Sequence, residues 1–441
     1  MEAEDLIDFN PWWSSGRVPD RLIEEQRRDL FQEIKEKLPS RQIISIVGLR
    51  RTGKTSLMYQ LIDDLLDKGT PEDHILYFSF DKRVDSIEDI VKTYKREILM
   101  EDCIPERTFF FFDEIQKLDD WENQVKLLYD KKYPLKILLS GSSSLTLQTG
   151  GKETLAGRNY VLNLTPLTYR EYLKLNETPI PEFKGIKRTY SSIKRDKENL
   201  LTHLHRFINF HGLPETIGMD ENSSIEYTRS SLIDQVIYKD IPAIYRVDDP
   251  SVLREMLRII AERPGMLLRF DSLSSDLSRT RQTISNYVFY LENAFLLRLM
   301  YNYSGSFITS AKKLKKVYFT HPSIVNSLKQ SRENMGRLIE NLVVSELGGE
   351  FFHRKNRKEI DIILRWKDHV IPVEIKYRDS ITERDEKVLR DFRTKQKLEM
   401  GLILTKDTFE IENDQIAKVP TYYFLLYKKK ILDELMNGVE R

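Results

Sequence analysis

The stretch VGLRRTGKTSL, residues 47–57, decides how this chain is read. Two glycines, Gly48 and Gly53, bracket Leu49, Arg50, Arg51 and Thr52, and Lys54, Thr55 and Ser56 follow directly. The β-branched run Ile43–Val47 precedes them, and a helical pattern begins at Ser56. The segment therefore lies between a buried strand and a helix, the setting in which G-x-x-x-x-G-K-[ST] cradles a phosphate. Each residue type has a reason. The glycines let the backbone fold tightly enough for several N–H groups to face one phosphate, and the helix N-terminus adds its positive end. Lys54 can reach the β- and γ-phosphates of a nucleoside triphosphate, and the Thr55 hydroxyl can ligate Mg²⁺. Residues 48–56 are thus the expected ATP cradle.

Such a cradle needs an acid at the tip of a neighbouring strand. FFFFDEIQ, residues 109–116, supplies one: four phenylalanines drive a central strand, and Asp113 and Glu114 emerge at its end. Asp113 would hold Mg²⁺ through water, and Glu114 could orient and deprotonate an attacking water. A plain acidic pair at a helix N-terminus is the alternative. Strand Ile75–Phe80 falls between these two in sequence, a placement similar to that of the additional-strand class of P-loop ATPases. ILLSGSSS, residues 137–144, is a further strand, and Ser142 or Ser140 at its tip could sense a γ-phosphate; a strand that simply ends in a Ser/Gly turn is the alternative. Arg158, in ETLAGRNY (153–160), could reach the nucleotide of a neighbouring subunit and stabilise transition-state charge, which would require an oligomer.

The 441 residues exceed one ordinary core, and the 40% hydrophobic content suffices for packed interiors. No apolar run approaches the ~18–20 residues of a spanning helix, and the acidic start lacks the order of a signal peptide, so a cytoplasmic protein with no membrane partner is expected. Seventy Lys and Arg nearly cancel 69 Asp and Glu, which excludes a globally basic nucleic-acid binder but not local basic patches. The single cysteine, Cys103, excludes an internal disulfide and a cysteine zinc cluster. Strands alternate with helices (56–68, 87–100, 120–131) from 43 to 141, which predicts a parallel sheet covered on both faces. The region 160–215 reads as mostly helical, with an exposed polar connection at 184–199. A long helical stretch follows over 222–304. Beyond 335 the pattern returns to a helix (336–350) and strands at 360–364, 370–375 and 400–405.

Two further constellations stand out. EIDIIL (359–364) and IPVEIKYR (371–378) put Asp361 on one strand and Glu374 with Lys376 on the next. Residues two apart in a strand share a face, so Glu374 and Lys376 point together and Asp361 can join them across a hairpin. Two carboxylates can bind Mg²⁺ or Mn²⁺, and the lysine can orient water. Glu340, on the preceding helix, is a further candidate ligand, and Glu346 a weaker one. An ordinary charge ladder on an edge strand is the alternative. In the middle segment, residues 271–300 read as helix, polar turn and helix, with Arg279 in the turn and Arg281, Gln282, Ser285 and Asn286 on the early face of the second helix. SAKKLKKVYF (310–319) would be a basic wing carrying Lys312, Lys313, Lys315 and Lys316. Such side chains can reach phosphates and base edges; a helical linker with a solvated face is the plainer reading.

Taken together, NPWW (10–13), GLRRTGKTSL (48–57), FFFFDEIQKL (109–118), LLSGSSSLTL (138–147), LAGR (155–158), LTPLTYREYL (164–173), HGLPE (211–215), YLENAFLL (290–297), GRLIENLVVSEL (336–347) and EIDIIL…VEIKYR (359–378) make the chain resemble archaeal-type AAA+ P-loop ATPases with a C-terminal DUF4143 domain. The resemblance implies an α/β P-loop core over 1–160, a helical lid over 161–225, a winged-helix domain over 226–325 and a PD-(D/E)xK nuclease-like domain over 326–441. The expected function is an Mg²⁺-dependent ATPase whose nucleotide state controls a DNA-binding, nuclease-like C-terminal half. The rival is an ATP-driven switch for a protein partner, with the nuclease-like domain a silent docking module. Trp12 and Trp13 read as packing residues or an adenine-side lid.

Overall fold

The computed structural model describes residues 2–24, 26–141, 155, 157–303, 314–329, 334–355, 358–411 and 415–439. They form two compact units, Met1–Thr165 and Pro166–Arg441.

The first unit is built on strands β1 (Ile43–Val47), β2 (Ile75–Ser79), β3 (Thr108–Asp113), β4 (Leu135–Gly141) and β5 (Asn159–Asn163), all parallel, in the order β2-β3-β4-β1-β5. β4 is thus the strand inserted between the cradle strand β1 and the acidic strand β3. Strands β1 and β2 are buried at every position, as sheets covered on both faces require. Helix α1 (Lys54–Asp67) follows β1, and its apolar stripe, Leu57, Leu61 and Leu65, packs into the cluster that holds Ile44, Ile46, Phe111 and Leu138. Helix α2 (Trp121–Asp130) lies between β3 and β4 in sequence. β5 corrects the helical reading of its segment.

The outer edge of β2 is closed by the NPWW segment. Asn10 is fully buried; its amide donates to Tyr77 O at 2.9 Å and its Oδ1 accepts from Tyr77 N at 2.6 Å. One side chain thereby does what a neighbouring strand would do for that residue. The indole N–H groups of Trp12 and Trp13 both donate to Ile75 O, at 3.1 and 2.9 Å. These tryptophans cover a strand edge, which otherwise offers unpaired backbone groups.

The second unit carries an eight-stranded mixed sheet in the order β13-β12-β11-β10-β9-β7-β8-β6. Its strands are β6 (Met266–Leu267), β7 (Leu297–Asn302), β8 (Lys316–Phe319), β9 (Phe351–Lys355), β10 (Lys358–Trp366), β11 (His369–Lys376), β12 (Gly401–Thr405) and β13 (Ile416–Pro420). Helices α3 (Pro250–Glu262), α4 (Phe270–Asp276) and α5 (Arg281–Asn293) surround β6 in sequence, and α6 (Met335–Glu346) leads into β9. β7 pairs antiparallel with β8 and parallel with β9 through Tyr301–Phe351 and Asn302–Phe352, which makes one continuous sheet. Two expectations are corrected here. The 222–304 stretch is not helical throughout, because Leu297–Asn302 finds a strand partner on each side. The polar tract 184–199 contains the helix Ile186–Ile193, with Ile186, Tyr190 and Ile193 buried. Their spacing of four and three residues puts one apolar stripe on an otherwise charged helix.

Asn10→Ala should leave both Tyr77 backbone groups unpaired in a buried site, at roughly 1–3 kcal/mol for each lost partner. The urea midpoint of the transition that includes the first unit is expected to fall clearly, whereas Ser14→Ala, at an exposed hydroxyl, should leave it in place. An unchanged midpoint for Asn10→Ala would refute this account of the edge.

Candidate nucleotide site and C-terminal charged cluster

At the C-terminal end of β1 the chain turns through Gly48 to Gly53, and α1 starts at Lys54. Gly53 has φ +89°, a conformation that suits glycine. A Cβ at Gly48 would stand 2.3 Å from the Leu164 carbonyl oxygen, so only glycine fits there. Leu164 N also donates to Val47 O at 2.7 Å, which fastens the segment after β5 to the start of the loop. The Thr52 hydroxyl closes the loop on Leu49 O at 2.9 Å. Lys54 is 6% exposed, and its ammonium donates to Gly48 O and Leu49 O, at 3.2 and 3.1 Å. Arg50, Arg51 and Ser56 lie on the same loop and first turn.

The predicted magnesium ligands come together. The Thr55 hydroxyl donates to Asp113 Oδ2 at 2.7 Å. Asp113 is buried and also accepts from Tyr77 OH at 2.9 Å, from Glu114 N at 3.1 Å and from the Ser140 hydroxyl. Glu114 has φ +52°, its N–H is within 3.3 Å of Ser140 Oγ, and its carboxylate accepts from Gln116. A glycine cradle, a basic side chain at the helix start and a paired Thr–Asp suit a Mg²⁺–nucleoside triphosphate.

Sequence reasoning missed Tyr77 and Arg28 here. Tyr77 is a hydroxyl inside an apolar strand run, two residues from the position level with Asp113. Arg28 is 8% exposed and donates to Thr52 O at 2.5 Å and to Thr165 O at 2.8 Å, joining the loop to the last residue of the first unit. Nothing in its local sequence marks it. Ser142 lies outside the described residues. Arg158 sits at the other end of the sheet from the cradle: Ile43 N donates to its carbonyl, and its guanidinium faces Asp130 at 3.3 Å. β1 separates the two by five residues, about 13–16 Å, so Arg158 does not reach the cradle of its own chain.

In the second unit, the register that pairs Ile362 with Val373 sets Asp361 opposite Glu374 one step on. Asp361 Oδ2 accepts from Ile375 N at 2.8 Å, and Lys376 bonds to Glu374. Glu374 Oε2 is buried with no hydrogen-bond partner. Burial, then the nearby Glu374 and Glu340, pushes the Asp361 carboxyl well above the usual range. Burial also raises Glu374, although Lys376 opposes it.

Lys316 departs from expectation. A basic wing would hold it at the surface, yet it is 4% exposed. Its ammonium lies 3.1 Å from Glu340 Oε1 and 2.6 Å from Glu359 Oε1, with Tyr318 OH at 3.2 Å. Burial works against its charge, but Tyr318, Glu340, Asp361 and Glu359 outweigh it and hold the proton well above the usual lysine range. Glu340 also accepts from Tyr318 OH at 2.6 Å, so its carboxylate is engaged by a lysine and a tyrosine. Among the described residues, no three His, Cys, Asp or Glu side chains are grouped to hold a metal. Asp361 and Glu374 remain as a two-carboxylate set, which Mg²⁺ or Mn²⁺ accepts when substrate phosphate completes the shell.

Of the remaining candidates for DNA, Arg279, Arg281, Gln282 and Asn286 are exposed and Lys315 is half-buried. Arg279 pairs with Asp249 at 3.2 Å, Arg281 with Asp271 at 3.3 Å, and Gln282 donates to Asn286 at 2.9 Å. Lys315 Nζ lies 4.8 Å from the centre of the Tyr301 ring. Lys312 and Lys313 fall outside the described residues. Exposed pairs of this kind contribute little and exchange readily for a phosphate.

Family comparisons agree with the geometry. A model described as an AAA domain matches residues 40–173, and models of two domains of unknown function, DUF8612 and DUF4143, match 201–334 and 335–424. The chain thus joins an AAA-type P-loop domain in its first unit to a DUF4143 domain in its second. Among individual proteins, an uncharacterized protein of Methanocaldococcus jannaschii, MJ1544, is 27% identical over 414 residues, covering 89% of each chain. An uncharacterized protein of Haemophilus influenzae is 25% identical over 350 residues, covering 75% of this chain and 82% of its own. Similar solved chains include the Aeropyrum pernix Orc1 protein in complex with DNA (10% identity, TM-score 0.30, 72% of this chain and 95% of that one) and Cdc6p from Pyrobaculum aerophilum (13%, 0.30, 72% and 97%). No helix among the described residues is long and apolar enough to cross a membrane.

Gly48→Ala should collide with the Leu164 carbonyl and displace the cradle. Overpacking of this kind costs ~1–3 kcal/mol, and ATP affinity by calorimetry should drop by roughly tenfold or more. Affinity equal to that of the wild type would show that the contact does not set the loop.

Proposed function

We propose that this protein is an Mg²⁺-dependent ATPase whose nucleotide state governs a DNA-binding, nuclease-like C-terminal half. The observation that carries the ATPase reading is the hydrogen bond between Thr55 and Asp113, which brings together metal ligands from the start of α1 and the end of β3. In this reading residues 48–56 bind ATP, Lys54 neutralises the β- and γ-phosphates, and Glu114 activates water beside Ser140. Arg158, remote from its own cradle, can act only on a neighbouring subunit. The helices α3 to α5 with β6 to β8 fit a winged helix, in which Arg279, Arg281, Gln282, Asn286 and Lys315 meet the nucleic acid. The convergence of Asp361, Glu374 and Lys376 supports a divalent-metal site for phosphodiester chemistry.

A second reading rests on Lys316. An ammonium already engages both Glu340 and Glu359, which favours a docking module that kept the fold and not the cleavage. Cleavage assays separate the two. If the tail cuts, Asp361→Ala removes all cleavage in Mn²⁺ while ATP turnover persists; no cleavage of single-stranded, duplex or branched DNA by the wild type, with or without ATP, would leave the silent module.

For the ATPase, Lys54→Ala should abolish tight ATP binding. Glu114→Gln should bind ATP normally and turn it over ~10²–10³ times more slowly, the usual loss of one transition-state group. Turnover of Glu114→Gln at the wild-type rate would remove that assignment. Neutralising Arg279, Arg281 and Lys315 together should weaken DNA binding across sequences and flatten its salt dependence by about one unit per lost phosphate contact.

A further inference from the structure

The second unit contains a cleft of about 540 Å³ where the β6 segment, α6, β9 and β10 meet. Four arginines line it, Arg263, Arg269, Arg337 and Arg354, together with Lys316, against two acids, Glu340 and Glu359. The lining therefore carries three excess positive charges. The acids are already used: both bond Lys316, and Glu359 also pairs with Arg354 at 3.3 Å. Arg263 and Arg269 have no hydrogen bond or ion pair from their side chains among the described residues.

The segment bearing these two arginines is held at both ends. Gly265 N donates to Val317 O at 2.8 Å and Leu268 N to Lys315 O at 2.7 Å. Gly265, at φ +79°, lies so close to the Tyr318 ring that a Cβ would come within 2.9 Å of it. Tyr318 in turn bonds Glu340. Two unpartnered guanidinium groups are thus fixed on a rigid backbone beside a buried charged cluster. Their planar forks match phosphate oxygens. A volume of this size has an edge of about 8 Å, enough for a small ligand or one strand and too narrow for a duplex.

We propose that this cleft seats a single nucleic-acid strand, with Arg263 and Arg269 holding its phosphates next to the Asp361, Glu374 and Lys376 cluster. Glu359, which lines the cleft, stands two residues before Asp361 on β10. This rests on the DNA-binding reading above and assigns it a place distinct from the α5 face. The acidic pair around Lys316 then has a purpose. It holds the inner end of the cleft near neutrality, so that the free positive charge is concentrated at Arg263 and Arg269.

The test uses the full chain with Lys54→Ala, so that the ATP cradle cannot compete for phosphate. Binding of a fluorescein-labelled oligothymidylate is followed by anisotropy over a salt series. Arg263→Ala with Arg269→Ala should weaken binding by roughly tenfold per arginine and flatten the salt slope by about 1.4, the single-strand value for two phosphate contacts. Lys92→Ala with Arg246→Ala, at more exposed cations, should change neither. Arg263→Lys with Arg269→Lys keeps the charge and should retain most of the slope while losing affinity, which guards against a folding artefact in the alanine variant; thermal unfolding of each variant checks the same point. Unchanged affinity and slope in the alanine variant, with a wild type that binds the strand, overturns the cleft and leaves DNA binding on another face. A wild type that binds no strand or duplex overturns both readings. If polyglutamate displaces the strand at equal charge concentration and the alanine variant loses both, the cleft is a site for acidic peptide and the nucleic-acid assignment falls.

Discussion

Everything in the first unit converges on one carboxylate. Asp113 accepts hydrogen bonds from the Thr55 and Ser140 hydroxyls, the Tyr77 phenol and the Glu114 backbone. Those donors come from α1, β4, β2 and the turn after β3, so a single buried anion fixes four elements relative to one another. An unpaired charge in such a place would be costly; here each donor offsets part of that cost. A nucleotide-bound metal would replace some of these donors, and the same anion would then report its presence to four elements at once. Arg28 and the Gly48–Leu164 contact extend the connection to Thr165, where the chain leaves the first unit.

In the second unit the equivalent role falls to a cation. Lys316 lies between Glu340 on α6 and Glu359 on β10, with Tyr318 on its own strand. Removing that ammonium would leave two carboxylates facing each other beside Asp361, so the lysine is as much a structural element as a chemical one. A lysine on a strand read as a basic wing does not announce this, because its partners come 24 and 43 residues later.

The legible parts of the sequence were those whose chemistry is contiguous. The cradle is one unbroken run of nine residues, and the four phenylalanines before Asp113 can only be a buried strand. Asp361, Glu374 and Lys376 were legible because a hairpin and a two-residue repeat determine which side chains meet. What remained hidden depends on distant pairing. Tyr77 acquires meaning only once β2 and β3 are in register. The run Leu297–Asn302 reads like the end of a helix until β8 and β9 flank it. In 184–199 the many lysines and serines masked the Ile186, Tyr190, Ile193 stripe, since composition speaks louder than spacing in a short segment. Arg158 precedes a strand that carries it to the far end of the sheet from its own cradle, which leaves the action on a neighbouring subunit that its loop suggests.

The parallel pairing of β7 with β9 has a consequence for how such proteins diversify. The segments matched as two separate domains of unknown function, 201–334 and 335–424, share backbone hydrogen bonds across that join. Exchanging one for an unrelated domain would expose the edge of a sheet on the other. A substitution that reshapes Tyr301 or Phe351 must therefore be answered on the opposite side of a boundary drawn from sequence alone.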